Sequence, residues 1–211
     1  MLSFSGFSCS RGLSSMGHPL IQSYANTLAH TFPLILIIGR EPNTALPITT
    51  DHGQYDFRAY PNCGFWNIAY STVARTVHLT TAQFKQVCHE QKGAPIIFAD
   101  ALPIGLKQAV SNKNSYRVQL TTEAITQHIA RIFTYEPLLH RVQFVVTAGL
   151  YRPTFAVAIS QIEMHCQALS LSYRHLPFFF GTNTPKIQAA LTEADRSAIR
   201  QITEQFSVLP L

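Results

Sequence analysis

The run LILII at residues 34–38 constrains the fold most, because it is apolar at every position and stops at Gly39. A strand of this composition fits the centre of a parallel sheet, where helices cover both faces. Residues 95–99 and 142–147 have a similar character and predict two further strands. Parallel strands end at the same edge of a sheet, so the loops that follow them are expected to meet there.

The segments between the predicted strands show helical spacing, with apolar residues recurring every three or four positions. Thr192 and Asp195 form a capping-box pattern that predicts the start of a last helix. Spacing also predicts a helix over residues 18–31, and residues 170–181 are expected to form two short extended pieces. This order predicts an α/β fold, a three-layer α/β/α sandwich around a central four-stranded, mostly parallel sheet. The other predicted helices span residues 62–75, 80–91, 121–135 and 154–169.

Length and composition restrict the class of protein. The chain has 211 residues, of which 46% are hydrophobic, so we expect a flexible arm over residues 1–17 and one domain over residues 18–211. No apolar run approaches the roughly 20 residues that span a bilayer. The four cysteines are far apart and have no metal-binding spacing. We therefore expect a cytoplasmic monomer with free thiols, no metal or other cofactor, and no membrane partner.

The charge balance is basic. Sixteen Lys and Arg against eleven Asp and Glu give a net charge of +5. A moderate bias of this size suits a polyanion such as a nucleic acid, and it is also found in ordinary basic enzymes. Charge alone leaves both interpretations open.

Three predicted loops carry the candidate functional residues. Glu41 follows the first strand closely and could orient or deprotonate a water molecule. Asp100 ends the second strand, where its carboxylate could accept hydrogen bonds from a ligand. Asn183 and Thr184 offer small hydrogen-bonding groups ahead of the cation Lys186. A surface glutamate, a helix cap and a simple turn are the ordinary structural interpretations of the same three loops.

Several short motifs follow one another in the order seen in a known enzyme family. GREPN at residues 39–43 fills the place of a first motif, G-I-N-P-G or G-Q-D-P-Y. Phe57 and YPNCGFW at residues 60–66 resemble the base-stacking aromatic and the H-P-x-N-x-F-W segment that come next. TNTP at residues 182–185 stands where the late motif, H-P-S-P or N-P-S-G, is expected. The chain thus resembles the uracil-DNA glycosylase superfamily, most closely its mismatch-specific uracil and thymine branch.

The resemblance implies a monofunctional DNA glycosylase. Such an enzyme flips a non-standard pyrimidine out of double-stranded DNA and hydrolyses its N-glycosidic bond, leaving an abasic site. The partner would be duplex DNA with a damaged, mismatched or modified base. The resemblance assigns catalysis to Glu41 and Asn183, and base binding to Phe57, Tyr60 and Asp100. It assigns DNA contacts to Arg40, Asn43, Thr184, Lys186 and Ile187. Of these, Lys186 or Ile187 would fill the place that the flipped base leaves in the base stack.

Some positions depart from the family pattern. Glu41 stands where the family has Asn or Asp, and Asn43 replaces a glycine. His175 is the alternative to Asn183 for the late motif. A carboxylate at Asp100 accepts a hydrogen bond from the N4 amino group of cytosine but repels the O4 of uracil. A modified cytosine of phage DNA, and with it an anti-phage role, therefore competes with uracil and DNA repair.

Two hypotheses from other classes are also considered. A catalytically silent DNA-binding member of the same fold predicts salt-dependent binding to abasic or mismatched DNA without base release. A nucleotide-binding enzyme of a generic Rossmann type is disfavoured, because GREPN is not a glycine-rich phosphate loop.

Overall fold

A six-stranded sheet forms the centre of the computed structural model, with helices on both of its faces. The structure describes residues 18–40, 48–59, 64–104, 120–151, 153–177 and 184–206. In these residues the strands are β1 (His18–Tyr24), β2 (Leu34–Gly39), β3 (Ile48–Tyr55), β4 (Ile96–Asp100), β5 (Val142–Ala148) and β6 (Ser172–Leu176). The α-helices are α1 (Gly64–Thr76), α2 (Thr81–Glu90), α3 (Thr122–Phe133), α4 (Glu136–Leu139), α5 (Ala156–Ala168), α6 (Thr184–Ala190) and α7 (Glu193–Phe206).

Four strands run parallel in the order β4-β2-β5-β6. They correspond to the three predicted apolar strands and to the first of the two extended pieces predicted after residue 170. The second piece falls largely outside the described residues. β2 is buried along its whole length, with Ile37 in the core on one side of the sheet and Ile38 in the core on the other. The predicted α/β/α sandwich is therefore confirmed.

The sheet has six strands and not the predicted four, because β1 and β3 extend it beyond β4. Residues 18–31 do not form the predicted helix; β1 occupies their first half and pairs antiparallel with β4. Apolar residues four apart fit a strand as well as a helix, since alternate strand residues share a face. β3 pairs parallel with β1 at the edge of the sheet. Among the residues of this strand whose burial the structure describes, Tyr55 alone is buried, so the hydrophobic pattern of the strand is too weak to predict it.

The helices form two layers with separate cores. α1, α2, α6 and α7 cover one face, which we call the α1 face, and their buried residues cluster with Tyr24, Tyr55 and Phe98. α3, α4 and α5 cover the other face, the α5 face, around Leu36 and Val145. After β2 and β6 the chain next forms helices of the α1 face, and after β4 and β5 it forms helices of the α5 face. Neighbouring connections thus diverge at the carboxyl ends of the parallel strands, which is where open α/β sheets bind ligands.

Two of the four cysteines, Cys88 and Cys166, lie in the described residues and are buried free thiols. Burial raises the pKa of Cys88 well above its usual value and that of Cys166 to about 12. Both side chains are therefore protonated at neutral pH and behave as core residues. None of the helices that the structure describes is long and apolar enough to cross a membrane.

An ion pair fastens α7 to the sheet. Arg174 of β6 donates through Nε to Asp195 Oδ2 at 2.7 Å, and Asp195 also closes the predicted capping box with Thr192. Burial alone would raise the pKa of Asp195, but the hydrogen bonds from Arg174 and Thr192 outweigh it and keep that pKa below its usual value. Asp195 thus joins the start of α7 to the edge strand of the parallel sheet.

We expect Asp195→Ala to lower the free energy of unfolding by about 2 kcal/mol, because it removes the carboxylate that accepts from Thr192 in the capping box and, with it, the partner of Arg174. Urea unfolding followed by circular dichroism measures the change. Glu193→Ala is the matched control, since Glu193 lies in the same helical turn but is exposed. Equal unfolding midpoints for the two variants would contradict the structural role of Asp195.

Candidate functional site

The carboxyl ends of β2 and β4 place Gly39 and Asp100 side by side. The two residues are register partners, and the amide of Ala101 donates to the Gly39 carbonyl at 3.0 Å. A Cβ atom added to Gly39 would lie 3.2 Å from Asp100 Oδ1 and 3.4 Å from Phe65 Cζ. Because such short Cβ contacts are rare, glycine is what allows the carboxylate and the ring to approach this backbone so closely. We call Gly39, Phe65 and Asp100 the glycine corner.

The pair Phe65 and Trp66 joins this corner to the core. Phe65 is half-buried in the first turn of α1, and its ring centroid lies 5.3 Å from that of Phe98. Trp66 points into the core and stacks on Tyr55 with ring centroids 4.0 Å apart. α1 therefore begins beside the corner, where the amide groups of a helix N-terminus favour negative charge. The structure brings together the FW pair, the first-motif glycine and Asp100.

A buried histidine supports the end of β4. His128 of α3 donates from Nε2 to the backbone carbonyl of Asp100 at 2.7 Å. Its side chain is buried in the apolar stripe formed by Ile125, Ile129 and Ile132. The sequence shows a lone histidine inside this stripe, but nothing in the sequence identifies its partner. His128 is a positioning residue that holds the backbone from which the Asp100 side chain projects.

Arg40 follows Gly39 and lies on the opposite face of the sheet. Its guanidinium carbon is 5.7 Å from the ring centroid of Tyr151 and 5.7 Å from that of Phe155. Phe155 belongs to the core of the α5 face. Two aromatic rings therefore hold the cation by cation–π attraction at the carboxyl edge. This position agrees with the DNA contact that the resemblance implies, although it does not test that contact.

A second polar group lies between β5 and β6. Thr147 Oγ1 is 2.8 Å from His175 Nδ1 and 3.2 Å from the Tyr173 hydroxyl. Burial lowers the pKa of His175, against an opposing effect of Glu163, and burial raises the pKa of Tyr173 to about 12. His175 alternates with Leu176, which packs on the α1 face, so its side chain lies on the α5 face. The structure therefore does not bring His175 to the glycine corner.

Phe57 lies far from the site predicted for it. β3 runs parallel to β1 and β1 antiparallel to β4, so residues after Tyr55 lie at the edge opposite to Asp100. Phe57 is 5% exposed, and its ring stacks on Tyr24 with centroids 4.4 Å apart. Its predicted base-stacking role is not supported by this position. Phe65 is the aromatic ring that the structure places at the glycine corner.

The two alternatives for filling the vacated stack differ in exposure. Ile187 is 1% exposed and belongs to the core of the α1 face, so it does not serve as an inserted side chain. Lys186 is exposed on the first turn of α6. That helix is fixed to α1, because Gln188 Nε2 donates to the Thr72 carbonyl at 2.7 Å. Of the two, only Lys186 is accessible.

The remaining predicted site residues are not described by the structure. Glu41, Asn43, Tyr60 and Asn183 lie outside the described residues, and so does the side chain of Thr184. Their roles stay predictions. Among the residues that are described, no three His, Cys, Asp or Glu side chains form a group that could hold a metal ion.

Comparison of the chain with protein-family models and with curated proteins gives no match. Its function is therefore inferred from the motifs and from the geometry of the carboxyl edge.

Stability should fall as the solution becomes mildly acidic. Burial lowers the pKa of His52, His165 and His175, whereas unfolded histidines titrate near 6.5. At a pH between 6.5 and the lower pKa values of the folded histidines, the unfolded state binds more protons than the folded state does. The free energy of unfolding therefore decreases as the pH falls through this range. We expect His175→Gln to reduce the difference between urea unfolding at about pH 7.5 and about pH 5.5. An unchanged difference in this variant would show that His175 does not contribute.

Proposed function

We propose that the chain is a monofunctional DNA glycosylase that releases a non-standard pyrimidine from double-stranded DNA. The observation that carries the proposal is the glycine corner. There the carboxylate of Asp100 and the ring of Phe65 both lie so close to the first-motif residue Gly39 that a Cβ atom on it would be 3.2 Å from Asp100 Oδ1 and 3.4 Å from Phe65 Cζ. The corner lies at the carboxyl edge of a parallel sheet, where the motif residues on either side of it in the sequence are also expected.

The corner has the chemistry to recognise a pyrimidine. Asp100 presents an acceptor for an exocyclic amino group, and Phe65 presents an apolar ring beside it. A planar base held against the ring would direct its Watson–Crick edge toward the carboxylate. Phe65 thus takes the place that the sequence motif assigned to Phe57. An amino-bearing base, such as a modified cytosine, fits this acceptor better than uracil does.

Hydrolysis requires a water molecule at the sugar. The C1′–N bond breaks, and its electron pair leaves with the nucleobase. The oxygen of the water molecule bonds to C1′, and a proton of that water passes to an acceptor group of the protein. Glu41, two residues after Gly39, is the proposed acceptor of that proton and the group that stabilises the oxocarbenium-like sugar. Asn183 and Thr184 are proposed to hold the leaving base or a flanking phosphate.

The distribution of charge supports a polyanionic partner at this edge. The segments that follow the four parallel strands are residues 40–47, 100–121, 149–155 and 177–186, with Asp100 included in the second. They contain six Lys or Arg and two acids, a balance of +4 in a chain whose total is +5. Nearly all of the excess positive charge therefore belongs to the sequence segments that follow the parallel strands, and a concentration of this kind suits phosphate binding. The cations are Arg40, Lys107, Lys113, Arg117, Arg152 and Lys186.

We further propose that the protein acts as a cytoplasmic monomer, since the free thiols of Cys88 and Cys166 fit a reducing compartment. If the released base is one typical of phage genomes, the protein acts in defence against phage. If it is uracil, the protein acts in DNA repair.

A catalytically silent DNA-binding protein is the second candidate, favoured by the burial of Phe57 in the core. A panel of duplexes carrying uracil, mismatched thymine, hypoxanthine and modified cytosines distinguishes the two. After incubation, heating in alkali cleaves the strand wherever a base has been released. Salt-dependent binding without strand cleavage on any duplex would support the silent protein.

We expect Glu41→Gln to slow base release by about 10²-fold or more, because glutamine cannot accept the proton from water. Single-turnover cleavage of the best duplex from the panel measures the rate. Glu204→Gln is the control, since Glu204 is exposed on α7, away from the carboxyl edge. A Glu41→Gln rate equal to that of wild type would show that another group activates the water.

Asp100→Asn should change the choice of base. Asparagine has nearly the same size but both donates and accepts hydrogen bonds, so uracil becomes acceptable. We expect the ratio of uracil release to modified-cytosine release to rise roughly tenfold. Parallel single-turnover reactions on both duplexes give the ratio, with Asp51→Asn as control because Asp51 is exposed on β3 and pairs with Arg131. The same ratio in Asp100→Asn and wild type would remove Asp100 from base recognition.

A further inference from the structure

Tyr151 is an exposed aromatic residue at the carboxyl edge. Its relative exposure is 53%, the highest among the exposed large apolar side chains of the described residues. It follows β5 by three residues and lies beside Arg40. Tyr151 does not belong to the buried core of either face.

The backbone that carries Tyr151 is well anchored. Leu150, directly before it, is 1% exposed, and Phe155 shortly after it is also buried. Gly149 adopts a positive φ of 79°, which favours glycine, and its amide donates to the Leu176 carbonyl at 3.0 Å. The exposed ring of Tyr151 thus lies between the buried residues Leu150 and Phe155, and the backbone just before it is hydrogen-bonded to β6.

Tyr151 lies close to the proposed base pocket without belonging to it. β5 pairs with β2 and β2 pairs with β4, so the ends of β5 and β4 are two strand spacings apart, roughly 10 Å. Arg40 links the two places, because it follows Gly39 in the chain and its guanidinium packs on the Tyr151 ring. The ring of Tyr151 can stack on a nucleobase, and the cation of Arg40 beside it can attract the neighbouring phosphate.

We propose that Tyr151 inserts into the DNA stack at the place vacated by the flipped nucleotide, and that Arg40 orients its ring. The inference rests on the proposed glycosylase function and names the residue that keeps the target base out of the duplex. A flipped base leaves its neighbours without a stacking partner, and an aromatic ring replaces that partner better than the ammonium group of Lys186 does. Tyr151 therefore takes over the role that the resemblance assigned to Lys186 or Ile187.

The first test measures binding and does not depend on catalysis. A duplex carries a stable abasic analogue with 2-aminopurine opposite to it, whose fluorescence is quenched when a ring stacks on it. Wild type and Tyr151→Phe should both quench this signal, and Tyr151→Ala should lose the quenching and bind roughly tenfold more weakly. Met164→Ala is the matched control, because Met164 is similarly exposed on α5 but lies outside the site. Quenching by Tyr151→Ala equal to wild type, or no binding of this duplex by wild type, would overturn the inference.

The second test separates the inference from the proposed function. Tyr151→Ala should release the base from a duplex roughly tenfold more slowly than wild type, and from a single strand at the wild-type rate, since a single strand needs no flipping. If wild type releases no base but quenches 2-aminopurine through Tyr151, the glycosylase proposal fails and the insertion stands. If Tyr151→Ala slows both substrates equally, or neither, the glycosylase stands and the insertion fails.

Discussion

The pairing of β2 with β4 is the constraint on which the site depends. Both strands are buried, so apolar packing on the two faces fixes which residues point to each side. This register makes Gly39 the partner of Asp100. A slip of one residue would turn the Asp100 side chain to the opposite face, away from Phe65. The chemistry of the corner is therefore a consequence of how the apolar residues of two central strands are packed.

The two additional strands change the expected arrangement of the site. With a simple loop between β2 and α1, Phe57 would remain near the carboxyl edge, as the resemblance implies. β3 instead carries the chain across the sheet, and Phe57 becomes part of an aromatic core with Tyr24 and Tyr70. The chain then returns to start α1 at the glycine corner. Phe65, adjacent to the buried Trp66, is the ring that lies at the corner.

How far the sequence predicts the structure depends on how strongly each element is buried. β2 and β4 are apolar runs, β5 is mostly apolar, and α1, α2, α3 and α5 have apolar stripes, so all of them are predicted within a few residues. Tyr55 is the one buried residue among those of β3 whose burial the structure describes, so this strand offers no such signal. The proximity of Gly39 and Asp100 follows from the expected convergence of strand ends. The contacts of His128 and Arg40 do not follow, because they depend on side chains from helices and loops far away in the sequence.

The alternation of side chains at the end of β2 divides the edge into two parts. Gly39 faces the α1 layer, with Asp100 and Phe65, whereas Arg40 faces the α5 layer, with Tyr151 and Phe155. One residue step along a strand thus separates the residues proposed to hold the base from the ring and cation proposed to fill the gap in the stack. Base flipping requires two such places a short distance apart, since the base and the gap it leaves are stabilised separately. In the proposed function, a single strand end supplies both.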